Sequence, residues 1–141
     1  MKKNHIILFL ALVLSSFSFA QNFNAIEPEL QNILNQKSEE LIDIQIYFKS
    51  SLDSKQLNQA TRKAYTKAEK KELVINELKT YSENVQADVM NILKAEELSG
   101  NVSDIHKLWI ASSISCKASS SVIYKLSSHP DVKMIGYDKE F

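Results

Sequence analysis

The stretch Ile42-Asp43-Ile44-Gln45-Ile46-Tyr47-Phe48 decides the fold, because large apolar side chains alternate in it with more polar ones. Successive side chains of a β-strand point to opposite faces, so one face of this strand would be wholly apolar. The other face would carry Asp43, Gln45 and Tyr47. The stretch therefore predicts a strand with one buried face and one open face.

A long helix is predicted after this strand. Thr66-Lys67-Ala68-Glu69 has the form of a capping box, and Gly100 can supply the left-handed turn that ends a helix. Apolar residues between them recur at spacings of three or four, as one helical stripe requires: Val74, Leu78, Tyr81, Val85, Val89 and Ile92. At roughly 30 residues the helix is long for a globular domain, so we expect its middle to overhang the sheet.

The stripe of this helix also approaches the pattern of a coiled-coil seam. Lys71 and Asn84 and the nearby strands favour packing against a sheet instead. Residues 50–65, between the first strand and this helix, are polar and lack a firm period. They predict a loop with one helical turn near residues 55–60.

The remaining elements complete a split βαβ arrangement. Residues 102–110, 114–118 and 132–137 read as strands, and residues 122–126 as a short helix with N-cap hydroxyls from residues 119–121. The order strand, helix, strand, strand, helix, strand predicts an α+β, ferredoxin-like fold. In this fold two helices, the first one long, lie on one face of an antiparallel sheet.

Residues 1–20 have the parts of a secretory signal peptide. Lys2 and Lys3 give a positive start, residues 6–14 are apolar, and Ser18 and Ala20 are the small residues before the cleavage point. As a helix the apolar run reaches roughly 14 Å, about half of a bilayer core, so we expect no stable membrane anchor. We expect export to the periplasm or the extracellular space.

After the signal peptide, residues 21–40 are interpreted as an N-terminal helical lead-in, with Pro28 in the first turn of a short helix. Residues 41–141 are interpreted as the domain itself. A chain of this size supports one hydrophobic core and not two.

Composition and motifs argue against several kinds of chemistry. Lys and Arg number 17 against 17 Asp and Glu, without a basic patch, so we predict no nucleic-acid partner. Gly100 and Gly136 are explained by a helix end and a strand, which leaves no phosphate loop and no G-x-S-x-G motif. His106, His129 and Cys116 match no ligand spacing, and Cys116 reads as a small core residue. We predict a non-enzyme without metal or cofactor.

Two stretches resemble a known family: Leu108-Trp109-Ile110-Ala111-Ser112-Ser113-Ile114 and Ile123-Tyr124-Lys125-Leu126-Ser127-Ser128-His129-Pro130-Asp131-Val132-Lys133-Met134-Ile135-Gly136-Tyr137-Asp138. Together they resemble the peptidase inhibitor I9 family, the propeptides of subtilisin-like serine proteases. The lead-in and the Lys-rich start of the long helix also resemble elongated members of that family. The resemblance implies that the chain binds and inhibits a subtilisin-type protease and assists its folding.

The resemblance further implies a binding surface made of a sheet face and a tail. Members lay the sheet on two surface helices of the enzyme and insert the C-terminal tail into its active-site groove as an added strand. Members also place carboxylates at the N-termini of those helices, and Asp138 matches such a position. Ser112 and Gly136 depart from the family pattern, in which Asn and an acidic residue are common. The implied protease-binding residues are Asp43, Gln45, Tyr47 and Trp109 on the face and Tyr137, Asp138, Lys139, Glu140 and Phe141 in the tail, with Phe141 in the first specificity pocket.

Two other functions remain open at this point. An exported interaction module of the same fold could use the open sheet face for an unrelated protein partner, and self-association of the long helix would favour it. An inhibitor is expected to be a monomer when free. An enzyme is the weakest alternative. The sequence ends at Phe141 without a protease domain, so we expect either an inhibitor acting in trans or a prodomain separated from its enzyme.

Overall fold

The structure is a computed structural model that describes residues 25–36, 40–50, 52–62 and 64–139. The predicted signal peptide, Glu140 and Phe141 lie outside the described residues. The elements in chain order are α1 (Pro28–Gln36), β1 (Ile42–Phe48), α2 (Ser54–Ala60), α3 (Lys67–Leu98), β2 (Val102–Leu108), β3 (Ser113–Ala118), α4 (Ser120–Ser127) and β4 (Val132–Tyr137).

The four strands form one sheet in the order β2-β3-β1-β4, and each neighbouring pair is antiparallel. The helix α3 connects β1 to β2, and α4 connects β3 to β4. Each of these connections passes over one intervening strand, which is the split βαβ arrangement. The predicted α+β, ferredoxin-like fold is therefore confirmed.

The core lies between the helices and one face of the sheet. Burial along β1 alternates as predicted, with Ile42, Ile44, Ile46 and Phe48 buried. These side chains form one cluster with buried residues of the helix layer: Leu30 and Leu34 of α1, Val89 and Leu93 of α3, and Val122, Ile123 and Leu126 of α4. Full burial of each such side chain contributes about 1.5–3 kcal/mol, and this term drives the helices onto the sheet.

The predicted ends of α3 are confirmed, and the predicted apolar stripe is only partly buried. Thr66 and Glu69 form the capping box, and Gly100 adopts the left-handed φ of 74° after the helix. Of the stripe, Val89 is buried, and Val85 and Ile92 are partly buried against the core. The other buried residues of α3 lie beside the stripe: Ser82, Gln86, Met90 and Leu93. Two polar side chains thus occupy core positions, which a search for apolar periodicity cannot find.

Gln86 lies in the core with its side-chain nitrogen paired, although its Oε1 has no hydrogen-bond partner among the described residues. Its side chain is fully buried, and its Nε2 donates to Ser82 Oγ at 2.8 Å and to the Ser113 carbonyl at 3.1 Å. A buried amide without such partners would be strongly unfavourable. The contact therefore ties the middle of α3 to the first residue of β3.

The N-terminal half of α3, and not its middle, extends past the sheet. None of the residues 67–81 is buried, whereas burial begins at Ser82. The short helix α2 packs beside this half, and the Tyr81 and Ser50 hydroxyls share a hydrogen bond. Because α2 and α3 support each other there, the overhanging half does not depend on the sheet alone.

The N-terminus of α4 differs from the sequence-based expectation. Ser119 is the N-cap residue, but its hydroxyl does not cap the helix and instead lies 3.0 Å from Ser121 Oγ. The far side of α4 is tied to α3 by Glu96, whose Oε1 accepts from Lys125 Nζ at 2.8 Å. Asn101 Nδ2 donates to the second oxygen of the same carboxylate at 2.9 Å.

Two residues near β2 and β3 adopt positive φ values without being glycine. Asp104 has φ 53° at a bulge in β2, and Ser112 has φ 46° in the turn that leads into β3. The left-handed region costs a non-glycine residue roughly 1 kcal/mol. The Ser112 hydroxyl is also buried without a hydrogen-bond partner among the described residues.

We expect Ser112→Gly to raise the free energy of unfolding by about 1 kcal/mol, because glycine removes both the left-handed strain and the unpaired hydroxyl. Chemical unfolding would measure the change. Ser128→Gly is the matched control, since Ser128 sits at φ −91° after α4 and gains nothing from glycine. Stabilisation of both variants alike, or of neither, would contradict this account of Ser112.

The Glu96 contacts predict a dependence of stability on pH. The hydrogen bond from Lys125, followed by that from Asn101, holds the pKa of Glu96 below its ordinary value of 4.5. A carboxyl with a lowered pKa in the folded state stabilises the fold above its unfolded pKa, and this contribution is lost as the pH falls through the folded pKa.

We therefore expect Glu96→Gln to be less stable than the wild type at neutral pH and equal to it in acid well below that pKa. Urea unfolding at both pH values gives the comparison. Glu97→Gln, in the same turn and exposed, serves as the control. A Glu96→Gln deficit that persists unchanged in acid would contradict the electrostatic origin.

Candidate functional site

The sheet has an open face on the side away from the helices, and this face is the candidate site. Strand pairing places Tyr47 beside Ser113 and Met134, and Gln45 beside Ser115 and Gly136. Paired residues share a face, so the open face can be read directly from the register. Its members are Asp43, Gln45, Tyr47, Ser103, His106, Leu108, Ser113, Ser115, Lys117, Met134 and Gly136.

The centre of the open face is organised by hydrogen bonds between side chains. Tyr47 donates its hydroxyl proton to Gln45 Oε1 at 2.7 Å, and Gln45 Nε2 donates to Ser113 Oγ at 3.0 Å. Each bond fixes the orientation of the next group in the series. The aromatic ring of Tyr47 is therefore held in place before any partner arrives.

One end of the open face is apolar. Leu108 and Met134 stand at the two ends of the row that contains Tyr47 and Ser113, and they are 40% and 36% exposed. These exposed side chains and the Tyr47 ring offer a partner apolar area that the described residues leave uncovered. Aromatic and large apolar side chains of this kind supply much of the affinity in protein interfaces.

The other end of the open face is acidic. Lys117 Nζ lies 3.8 Å from Asp43 Oδ1 and 3.5 Å from Asp104 Oδ2, and Ser115 Oγ donates to Asp138 Oδ2 at 2.8 Å. A depression of about 250 Å³ lies between these side chains. Three carboxylates outnumber one lysine, so this end suits a partner with positive charge or with free backbone N–H groups.

The tail is held on the domain as far as Lys139. Tyr137 is the last residue of β4 and packs on the core side, opposite Ile44. The Asp138 backbone N–H donates to the Asp43 carbonyl at 3.0 Å, which continues the ladder one residue past β4. Within the described residues the tail is therefore attached to the domain, through Tyr137, Asp138 and Lys139.

The structure does not place Trp109 with the three β1 residues of the open face. Trp109 lies in the turn between β2 and β3, half-buried, and the Lys79 ammonium of α3 lies 5.4 Å from its ring centroid. Because α3 packs on the core side of the sheet, the ring is turned toward the helix layer. The sequence placed Trp109 at the right junction but could not show which side it would face.

Sequence reasoning missed Glu27, which borders the open face. A Cβ atom at Gly136 would lie 2.8 Å from Glu27 Oε2 and 3.8 Å from Tyr47 Cε2. Gly136 thus leaves room for the carboxylate of Glu27 above β4. A glycine inside a strand often marks such a close approach, and this was the available signal.

The buried thiol of Cys116 is unsuited to nucleophilic attack. Burial, and secondarily the charge of Asp43, raises the pKa of Cys116 to about 12. The thiol is therefore neutral at neutral pH, whereas the thiolate is the reactive form. Within the described residues no group of three or more His, Cys, Asp and Glu side chains is arranged to hold a metal ion.

None of the helices in the described ranges combines the length and the apolar character needed to span a bilayer. The longest, α3, carries charged residues throughout its length.

We expect Trp109→Ala to lower the free energy of unfolding by about 1–2 kcal/mol, because the ring loses its buried area and its contact with Lys79. Ile110→Ala is the control, since Ile110 is the next residue of the same turn and is 76% exposed. Thermal and chemical unfolding would measure both variants. Equal stabilities would show that Trp109 does not pack against α3.

Comparison with known proteins finds no relative. No protein-family model matches the chain. Among curated proteins none matches it, and no solved structure does.

Proposed function

We propose that this domain is exported, binds a subtilisin-type serine protease through its open face and its tail, inhibits the protease and assists its folding. The observation that carries the proposal is the continuity of the two surfaces. Asp138 belongs to both, because its backbone extends the β1–β4 ladder while its side chain accepts from Ser115 on the open face. A partner that covers the open face would meet an extended tail at its acidic end.

The open face supports the proposal by its two chemically different ends. The helices of a globular enzyme present positive N-terminal dipoles, which favour nearby carboxylates such as Asp43 and Asp138. The Tyr47 ring, already fixed by Gln45, can bury apolar area at the other end with little loss of side-chain freedom. The arrangement suits helices laid across the sheet.

The tail supports the proposal by its extended backbone. Strand geometry continues through Asp138, and β-augmentation requires an extended segment whose backbone can pair with an edge of the partner. We propose that Glu140 and Phe141, which follow Lys139, enter the active-site groove. The cleft of the protease would then be blocked by backbone pairing and by the burial of Phe141.

Assistance with folding follows from the same surface. The domain has its own core, formed by β1 with α1, α3 and α4, and so requires no enzyme to assemble it. A preformed sheet face could dock two helices of a folding protease and bring them into register. The sequence resemblance to subtilisin propeptides supports this part of the proposal.

A second candidate is an interaction module that binds an unrelated partner. The overhanging end of α3 favours it, because Tyr65 is 95% exposed there and a groove of about 370 Å³ runs past Leu73. Sizing at several concentrations tests self-association through this end. A dimer that persists on dilution would favour the second candidate, whereas the inhibitor is expected to remain a monomer.

We expect the protein to form a one-to-one complex with a catalytically inactive subtilisin-type protease. Tyr47→Ala should weaken that complex about tenfold or more, because it removes the fixed ring from the apolar end of the face. Leu98→Ala is the control, since Leu98 is the last residue of α3, in the helix layer, and is 92% exposed. Calorimetry gives both constants. Absence of any complex at micromolar concentration across several such proteases would contradict the proposal.

We expect removal of Glu140 and Phe141 to raise the inhibition constant up to about a hundredfold, because burial of a Phe side chain contributes up to about 3 kcal/mol. The truncation ends at Lys139 because removal of Tyr137 would cut into β4 and the core. Binding through the open face should survive at lower affinity. Equal inhibition constants for the truncated and full-length proteins would contradict insertion of the tail.

A further inference from the structure

The last described residue of the tail is joined to the first turn of α1. Lys139 Nζ lies 3.0 Å from Glu29 Oε1, and the two side chains are 53% and 48% exposed. Hydrogen bonding to Glu29, with the charge of Glu29 adding to it, raises the pKa of Lys139 above its ordinary value. The lysine is therefore charged at neutral pH.

Successive residues of the tail make contacts on opposite faces of the sheet. Tyr137 packs on the core side, Asp138 reaches Ser115 on the open face, and Lys139 returns to the helix side to meet Glu29. This alternation is the period of two that a strand imposes. Loss of the Lys139 contact would leave the backbone after Asp138 free to rotate away from the strand direction.

The segment that carries Glu29 is itself firmly attached. The Glu27 backbone N–H donates to the Ile135 carbonyl at 2.9 Å, and Ile26 forms a bridge with Ile135 of β4. Leu30 and Leu34 on the next turns of α1 are buried in the core. Glu29 is therefore presented from a fixed base to the tail.

We propose that Glu29 is a positioning residue that sets, through Lys139, the direction in which the tail leaves the domain, so that α1 controls how strongly the tail inhibits. This inference rests on the proposed function. A tail already held in an extended conformation loses less conformational freedom on entering a groove, and preorganisation of this kind increases affinity. The helix α1 thereby belongs to the inhibitory site although it packs on the other face of the sheet.

The expected effect is modest because the ion pair is exposed. Such pairs change an equilibrium by about fivefold at most, and salt screens them. We expect Glu29→Lys and Lys139→Glu each to raise the inhibition constant roughly threefold to fivefold. The double variant Glu29→Lys/Lys139→Glu rebuilds the pair in reverse and should return the constant to within about twofold of the wild type.

Amide hydrogen exchange of the free protein supplies a readout that involves no protease. The Asp138 N–H is bonded to Asp43, so it should exchange several-fold faster in each single variant and at the wild-type rate in the double variant. Glu83→Lys, an exposed charge reversal on α3, controls for the change in net charge. Thermal unfolding confirms that each variant keeps its fold.

The two readouts separate failure of the inference from failure of the proposed function. Unchanged exchange and inhibition in the single variants, or no recovery in the double variant, would overturn the role of Glu29. Exchange rates that follow the pair, with no inhibition by any variant or by the wild type, would instead overturn the proposed function. Joint loss and recovery of both quantities supports the inference.

Discussion

The central strand β1 is the constraint on which the rest of the molecule depends. It is hydrogen-bonded to β3 on one edge and to β4 on the other, and its apolar side chains face the helix layer. A shift of its register by one residue would exchange the two faces, so that isoleucines met solvent and Asp43 entered the core. The same alternation that closes the core therefore also builds the open face, and a change in the register of β1 would disrupt both.

Polar contacts fix the orientation of the helices that this apolar pattern packs onto the sheet. Gln86 fixes α3 to the start of β3, and Glu96 fixes α3 to α4 through Lys125. These contacts are directional, whereas apolar burial is not. They select one arrangement of the helix layer, and with it the path of the turn that contains Trp109.

Much of the fold could be predicted because its signals are local. The alternation in β1 and the capping box at Thr66 are each complete within a few residues, and the order of elements then leaves few topologies. The buried side of α3 could be predicted only in part, because Gln86 enters the core only when Ser113, distant in sequence, offers its carbonyl. Periodicity measures apolar character and gives no weight to a polar side chain that finds partners.

The candidate site could likewise be predicted where its signals are local, but not where residues distant in sequence meet. Alternation placed Asp43, Gln45 and Tyr47 on one face, but the contacts of Glu27 with Gly136 and of Glu29 with Lys139 join opposite ends of the chain. The direction of a side chain at the end of a strand could not be predicted from the sequence either, since Trp109 could turn to either side of the sheet. Such contacts arise only when the chain is folded.

The position of Cys116 has a consequence for how the protein would behave toward oxidants. Its thiol lies in the middle of β3 opposite Ile44, 2% exposed, with its pKa raised to about 12. A disulfide reagent needs both access to the sulfur and a thiolate, and the folded core denies it both. Modification requires the sheet to open, so the rate of thiol labelling measures how often the core unfolds transiently. Mixed disulfides and cross-linked dimers would accumulate only in molecules that have already lost their fold.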